Sequence, residues 1–254
     1  MQFSLARWLL VPAVFLGGLL GCAGGSDDEL LVFAATSLTD SLAEIGPAFE
    51  RESGAQVAVS FGGSQLLAQQ IVRGAPADVF IAAGVVPMDL LEQDGLLSSA
   101  PEPILRNELV LVTRPDLLAE SLRVLLEPGV ERVAVADPDL APAGRYARES
   151  LKSLGIWDDI SEKLIKGSDV RATLTYVETG NADAAVVYRT DAVTADGVEI
   201  YDIVPPDSHS PIIYPAAIVE RSESQALAAK FLAYLTGDTA QAIFRSHGFE
   251  PADP

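Results

Sequence analysis

The sequence contains few of the residues that form disulfides, bind metals or hold nucleic acids. Its 254 residues include one cysteine and two histidines, so no internal disulfide can form and no cluster has the spacing of a zinc site. Lysine and arginine number 17 against 36 aspartates and glutamates, a formal net charge of −19. Binding to a phosphate backbone needs clustered basic residues, and the chain has no such cluster. These absences disfavour metalloproteins and nucleic-acid-binding proteins.

The signatures of common enzyme classes are also missing. No G-x-S-x-G string occurs, and the nearest one, GGSQL at residues 62–66, lacks the closing glycine. No phosphate-binding GxxxxGK[ST] loop is present. A serine-dependent hydrolase using Ser37 or Ser64 stays open in principle, but His209 lies in a predicted polar turn and no residue supplies a convincing base. We therefore expect a binding protein and not an enzyme.

The first 22 residues differ in composition from the rest of the chain. Arg7 is their one charged side chain, and an apolar run of about 14 residues follows it, which is short for a membrane span and typical of a secretion signal. The string LLGC, which ends at Cys22, resembles a bacterial lipobox. We expect residues 1–21 to be a signal peptide, Cys22 to be lipidated, and residues 22–28 to form a flexible tether. A plain cleaved signal, or an uncleaved anchor with an incidental cysteine, is the alternative.

Beyond the tether, strand-length apolar runs alternate with segments of helical periodicity, and 49% hydrophobic residues suffice for one domain or two modest ones. Strands separated by helices imply parallel sheets with right-handed crossovers, so the predicted class is α/β with helices flanking the sheets. Gly54 is predicted to end the first helix. The predicted strands are 30–34, 56–61, 79–82, 109–113, 132–136, 184–188 and 212–219. The predicted helices are 38–52, 64–72, 87–94, 144–154, 170–180, 223–236 and 238–246.

Two serines follow the first two predicted strands, and each one begins a predicted helix. The carboxyl ends of parallel strands are where open α/β sheets bind ligands. Helix N-termini offer free N–H groups and a partial positive charge, which suit an anion. The string Ser37-Leu38-Thr39-Asp40 also fits a capping box, so Ser37 is predicted to cap its helix, and Ser64 is a similar candidate. Because a hydroxyl can accept from a helix and donate to a ligand, the two roles are compatible.

Short motifs follow one another along most of the chain. They are FAATSL (33–38), SFGGS (60–64), GAPADVFIAA (74–83), ADP (136–138), PAGRY (142–146), SDVR (168–171), VVYRTDA (186–192), YPAA (214–217), IF (243–244) and GF (248–249). In order and spacing, from about Leu30 to Phe249, they resemble the molybdate-binding proteins of ABC-type importers. The GAPAD string occurs more widely among solute-binding proteins and is weak by itself, whereas the ordered set is specific.

The resemblance implies a two-lobed, type II periplasmic-binding-protein fold that closes on a tetrahedral oxyanion. Lobe I would comprise residues 29–108 and 212–251, and lobe II residues 109–211. The protein would capture molybdate or tungstate and deliver it to an ABC permease. We expect an exported monomer without a cofactor, anchored through Cys22 at the periplasmic or extracellular face of the cell membrane, with no nucleic-acid partner.

The resemblance also places oxyanion contacts at five positions. Ser37 and Ser64 would bind from lobe I, and Ala143, Val170 and Tyr188 from lobe II, with Ala143 and Val170 contributing backbone amides. Molybdenum would be bound as its oxyanion, so no side chain would ligate a metal cation. The alternative for Val170 is that it only packs in the core. The alternative for Tyr188 is that it is a core residue whose hydroxyl is hydrogen-bonded to the backbone.

Thr36 departs from the family pattern, in which a smaller residue is usual, and its methyl group would narrow the pocket edge. Another oxyanion, such as sulfate or phosphate, is the nearest alternative ligand. A cation would require carboxylates, and the five positions include none. A sensory domain for a membrane signalling partner is a further alternative. A site built only of donors would favour a fully deprotonated anion, and its size would separate molybdate from sulfate.

Overall fold

The computed structural model describes residues 29–252, so the predicted signal peptide, the lipidation at Cys22 and the tether lie outside the described residues. The strands are β1 (Glu29–Ala35), β2 (Gln56–Gly62), β3 (Val79–Ile81), β4 (Glu102–Arg106), β5 (Leu109–Thr113), β6 (Val133–Ala136), β7 (Leu164–Gly167), β8 (Ala184–Tyr188), β9 (Glu199–Tyr201), β10 (Ile213–Ile218) and β11 (Glu250–Pro251). The helices are α1 (Thr39–Ser53), α2 (Ser64–Val72), α3 (Val85–Gln93), α4 (Pro142–Ser153), α5 (Val170–Glu178), α6 (Arg189–Ala192), α7 (Gln225–Leu235) and α8 (Asp238–Ser246).

The strands form two sheets flanked by helices, in agreement with the predicted α/β class. The six-stranded sheet has the order β11-β4-β10-β3-β1-β2, and the five-stranded sheet has the order β7-β6-β8-β5-β9. The expectation of parallel sheets holds only for one side of each sheet, β2-β1-β3 and β7-β6-β8. The remaining pairs are antiparallel. Strand β5 enters its sheet from β4 of the other sheet after two residues, so no helical crossover within one sheet sets its direction.

Two connections carry the chain between the sheets. Residues 107–108 join β4 of the six-stranded sheet to β5 of the five-stranded sheet, and residues 202–212 join β9 back to β10. Each sheet is therefore completed by segments distant in sequence. A movement of one sheet relative to the other would have to bend these two connections.

Buried apolar side chains cover both faces of the six-stranded sheet. In β1, Val32 and Ala34 belong to the main core, which also includes the five-stranded sheet, whereas Phe33 packs into a second core with side chains of α2 and α3. This division follows from the alternation of side chains along a strand. Among residues 29–252, no helix combines the length and apolarity that crossing a bilayer requires.

The predicted element boundaries are accurate to within a few residues. Helix α1 ends at Gly54, whose φ of 78° lies in the left-handed region. Helix α4 begins at Pro142, two residues earlier than predicted, because proline suits the first turn of a helix. The short elements β4, β7, β9, β11 and α6 were not predicted, since two to five residues show no clear periodicity.

Candidate functional site

All five predicted contact residues line one small cavity, which lies between the two sheets and is called the central cavity below. Its volume is about 10 Å³, roughly the least that holds a single water molecule. Its wall comprises Ala35, Thr36, Ser37, Gly62, Gly63, Ser64, Ala83, Ala141, Pro142, Ala143, Asp169, Val170 and Tyr188. The structure therefore brings together five predicted contact residues that are up to 151 positions apart, from Ser37 to Tyr188.

A larger cavity, of about 620 Å³, lies along the two connections and contains none of the five residues. It is lined by parts of 106–109 and 202–213 together with Glu250. Cavity volume does not decide which of the two cavities is the binding site, because a small anion needs close hydrogen-bond donors in a dry site and not a wide opening. The central cavity has those donors, so it is the better candidate.

Four helical segments begin at the central cavity. A short 3₁₀ turn, Thr36–Leu38, precedes α1, and α2, α4 and α5 begin at Ser64, Pro142 and Val170. The first N–H groups of a helix have no partner within it, and the aligned peptide dipoles add a partial positive charge. Ala143 and Val170 therefore lie where a backbone amide is free to bind an anion.

The predicted capping role of the two serines is wrong. Ser37 lies in the 3₁₀ turn, and neither that turn nor α1 has a side-chain cap. Its Oγ instead lies 2.9 Å from Oη of Tyr214. Ser64 is the first residue of α2, and its Oγ accepts a hydrogen bond from the Ala83 amide at 3.0 Å. The partners of the two hydroxyl oxygens lie in β10 and in the loop after β3, which local sequence does not reveal.

Ala83 connects Ser64 with the hydroxyl of Tyr188. Tyr188 is 1% exposed at the end of β8, and its Oη donates to the Ala83 carbonyl at 3.3 Å. Burial raises the pKa of Tyr188 well above its usual value, so the hydroxyl keeps its hydrogen. Since the oxygen of Ser64 accepts from the Ala83 amide, the hydrogen of Ser64 stays available for another acceptor. The role of Ala83 is not predictable from the sequence, because it depends on its backbone amide and carbonyl groups.

Two further polar side chains line the cavity. Oγ1 of Thr36 is buried and has no hydrogen-bond partner among the described residues. The sequence suggested only that the methyl group of Thr36 narrows the pocket, and gave no sign of a free hydroxyl. The carboxylate of Asp169, by contrast, caps α5 by accepting from the Ala172 amide at 3.0 Å. The negative charge of Asp169 is therefore partly balanced by the N-terminus of its own helix, α5.

Arg171, the residue after Val170, joins elements beside the two sheets. Its Nη2 lies 2.5 Å from Oδ2 of Asp40 in α1, and its Nε pairs with Asp191 in α6. Asp191 is fully buried, and burial raises its pKa to about 7 although the Arg171 guanidinium opposes the rise. Arg171 therefore binds an acidic residue on each side of the central cavity.

No histidine contacts the two serines. His209 is bonded to the Ser210 carbonyl at 2.8 Å, and His247 to Glu44 at 2.9 Å. The geometry thus supplies neither serine with the base that a hydrolase would need. In the described range 29–252, no group of three or more histidine, cysteine or acidic residues is arranged to hold a metal ion.

Comparisons with known proteins place the chain among bacterial extracellular solute-binding proteins. Residues 30–250 match the family model described as bacterial extracellular solute-binding protein. The chain is 37% identical to the molybdate-binding protein ModA of Escherichia coli, over 96% of this chain and 98% of the relative. It is 34% identical to ModA of Haemophilus influenzae, over 93% and 95%. The solved periplasmic molybdate-binding protein of Azotobacter vinelandii has a TM-score of 0.81 at 26% identity, covering 89% of this chain and 99% of that one.

Proposed function

Because the chain belongs to the family of bacterial extracellular solute-binding proteins, we propose that it captures molybdate or tungstate outside the cytoplasm and delivers it to an ABC permease. One observation carries the proposal: the central cavity gathers hydroxyl and amide donors from both sheets, and no basic side chain of residues 29–252 lines it. Ser37, Ser64, Ala143, Val170 and Tyr188 would contact the oxyanion. No cofactor enters this function.

Neutral donors are sufficient to bind a dianion in a closed cavity. Each hydrogen bond to a charged group contributes roughly 1.5–3 kcal/mol. Four such bonds, and a fifth once the Tyr188 hydroxyl turns from the Ala83 carbonyl to the ligand, allow micromolar or tighter binding after the free-energy cost of ordering and closure. The net charge of −19 does not prevent this, because a diffuse charge is screened by salt, whereas the helix N-termini act at contact distance.

We further propose that lobe I comprises residues 29–108 and 212–251, lobe II comprises residues 109–211, and the lobes close on the ligand by bending at the two connections. The membership of the strands supports this division, since β1 to β4, β10 and β11 share one sheet and β5 to β9 the other. Hinge closure around a ligand is a common motion of two-domain proteins. The closed form, as a monomer, would be what the permease recognises.

The membrane attachment is part of the same proposal. An apolar stretch that follows Arg7 and ends in LLGC favours export with removal of residues 1–21 and lipidation of Cys22. Residues 22–28 would then tether the two lobes near the membrane surface. Mass spectrometry of the protein from its native membrane would test this, because an unmodified Cys22 would contradict the anchor.

Calorimetric titration of a soluble form, residues 27–254, tests the function. This form keeps every described element, and we expect it to bind molybdate and tungstate more tightly than sulfate or phosphate. Ser37→Ala and Tyr188→Phe should each weaken molybdate binding about tenfold or more. Ser246→Ala and Tyr176→Phe, which lie outside the central cavity, are the matched controls.

Two outcomes would refute different parts of the proposal. Undiminished affinity in both cavity variants would refute the assigned site, and failure of the unaltered protein to bind either oxyanion would refute the function. Substitution of His209 and His247 should leave binding unchanged, whereas a hydrolase would lose its base. Sulfate binding as tight as that of molybdate would point to the alternative oxyanion.

A further inference from the structure

A chain of hydrogen bonds runs from the first connection between the sheets to the central cavity. Nδ2 of Asn107 lies 2.8 Å from Oγ1 of Thr190 and 3.0 Å from Oη of Tyr214. Oη of Tyr214 in turn lies 2.9 Å from Oγ of Ser37. Tyr214 and Ser37 are 0% and 4% exposed, so water does not compete freely for these bonds.

The orientation of the Asn107 amide is determined by its other contact. Its Oδ1 accepts from the backbone N–H of Glu108 at 2.9 Å. A reversed amide would place its NH₂ group against that N–H, and a donor facing a donor forms no bond. Because an amide NH₂ group can only donate, Nδ2 faces Tyr214 and Thr190 as a donor to both.

This orientation fixes the hydrogens further along the chain. Oη of Tyr214 accepts from Asn107, and its own hydrogen has Ser37 Oγ as the remaining acceptor among the described contacts. Burial raises the pKa of Tyr214 above its usual value, which keeps that hydrogen in place. Ser37 Oγ therefore accepts from Tyr214. The Ser37 hydrogen has no other partner in the described part of the chain and is free for the central cavity that Ser37 lines.

We propose that Asn107 and Tyr214 are positioning residues that hold the Ser37 hydroxyl as a donor, and that they thereby make the cavity select fully deprotonated oxyanions over protonated ones of equal charge. Ser64 is held in the same state by the Ala83 amide, so both serines of lobe I act as donors. An O–H of hydrogen phosphate that faced the two serines would meet their hydrogens and no acceptor, and an unsatisfied buried donor is costly. The inference rests on the proposed function and specifies its ligand class.

An isosteric variant, Asn107→Asp, should reverse the arrangement. One carboxylate oxygen still accepts from the Glu108 amide, and the other now accepts from the Tyr214 hydroxyl. The Tyr214 oxygen then accepts from Ser37, whose hydrogen turns away from the cavity and leaves a lone pair directed into it. Tyr214→Phe removes the link altogether and leaves the Ser37 hydroxyl free to rotate.

The measurement is the ratio of the dissociation constants for hydrogen phosphate and molybdate. It uses the full-length chain in detergent, calorimetry with phosphate competition, and a pH at which both anions carry two negative charges. The added negative charge of Asn107→Asp weakens the binding of both ligands to the same extent, so this effect cancels in the ratio. We expect the ratio to fall about tenfold or more in Asn107→Asp and to a smaller extent in Tyr214→Phe.

Thr190→Val is the matched control. It removes the second acceptor of Asn107 but leaves the direction of the Tyr214 bond unchanged, so the ratio should stay as in the unaltered protein. General damage to the site would weaken both ligands and also leave the ratio unchanged. Thermal melting shows whether each variant folds. If Asn107→Asp does not fold, the test uses Tyr214→Phe, which loses only one oxygen atom.

The outcomes separate this inference from the proposed function. If the unaltered chain binds molybdate but the ratio is unchanged in the variants, or phosphate still fails to compete in them, the positioning role is wrong and the function stands. If the unaltered chain binds neither molybdate nor tungstate, the function fails and the inference fails with it.

Discussion

A β-carbon added to Gly63 would lie 2.5 Å from the carbonyl oxygen of Leu140 and 3.1 Å from that of Ser168. Gly63 follows β2 of the six-stranded sheet, whereas Leu140 and Ser168 lie in loops that follow β6 and β7 of the five-stranded sheet. The φ of Gly63, −62°, is open to any residue. Glycine is therefore required here by the approach of the two sides of the central cavity and not by backbone conformation.

Gly63→Ala should impair closure while leaving the fold intact. The methyl group has space only if the two sides of the cavity separate, and separated donors cannot all reach one anion. We expect molybdate affinity to fall about tenfold or more, with little change in melting temperature. Gly46→Ala, where an added β-carbon meets no atom within 4 Å, is the control. Full affinity in Gly63→Ala would mean that closure to this distance is not needed.

The hydroxyl of Thr36 should be an additional contact to the bound oxyanion. It is buried, lines the central cavity and lacks a partner among the described residues. Thr36→Val keeps the shape and removes the donor, so binding should weaken by roughly 1.5–3 kcal/mol in a calorimetric titration. The control is Thr39→Val, whose hydroxyl donates to the Thr36 carbonyl at 2.6 Å. Equal affinities for the two variants would exclude a ligand contact by Thr36.

The ion pair between Arg171 and Asp40 should slow the release of ligand. It joins α5 to α1 across the central cavity, and its side chains are 29% and 42% exposed. Partial exposure limits its contribution to less than about 1 kcal/mol, so Asp40→Asn should raise the dissociation rate about two- to fivefold. The effect should shrink in high salt.

Stopped-flow measurements of ligand release would check this prediction. Asp116→Asn is the matched control, because it removes an ion pair of the same 2.5 Å length, with Arg114, that lies beside the five-stranded sheet alone. The prediction fails if the two variants release ligand at the same rate.

Asp191 should make stability depend on pH. Its pKa is raised from 3.8 to about 7 by burial, against the influence of Arg171. Between these values the folded state keeps the proton and the unfolded state loses it, so the contribution of Asp191 to the free energy of unfolding decreases as pH rises. The full decrease is on the order of 4 kcal/mol.

Urea unfolding at about pH 4.5 and 7.5 measures this effect. Asp191→Asn does not titrate, so its free energy of unfolding should fall less across this range than that of the unaltered protein. Asp196→Asn, an exposed position, is the control and should follow the unaltered protein. Parallel behaviour of Asp191→Asn and the unaltered protein would contradict the raised pKa.

Much of the architecture was predictable because it depends on local patterns. Apolar runs separated by periodic helices identified β1, β2, β3, β5, β6, β8 and β10, and the ends of these strands indicated where a ligand would bind. The five candidate positions came from the ordered motifs, and all five line the central cavity. The directions of β5 and β10 were not predictable, because they depend on how the chain passes between the sheets.

The partners of individual polar groups were decided by tertiary structure. The local sequence predicts that Ser37 caps a helix, yet its oxygen is hydrogen-bonded to Tyr214, 177 positions away. Tyr214 is in turn oriented by Asn107, which lies in a connection between the sheets. Thr36, Ala83 and Gly63 acquire their roles in the same way, through packing against distant segments. The sequence by itself determined the class of fold and which residues lie at the strand ends, because periodicity and helix starts are local properties. The direction of each hydrogen bond required the folded chain, because it depends on atoms that only packing brings together.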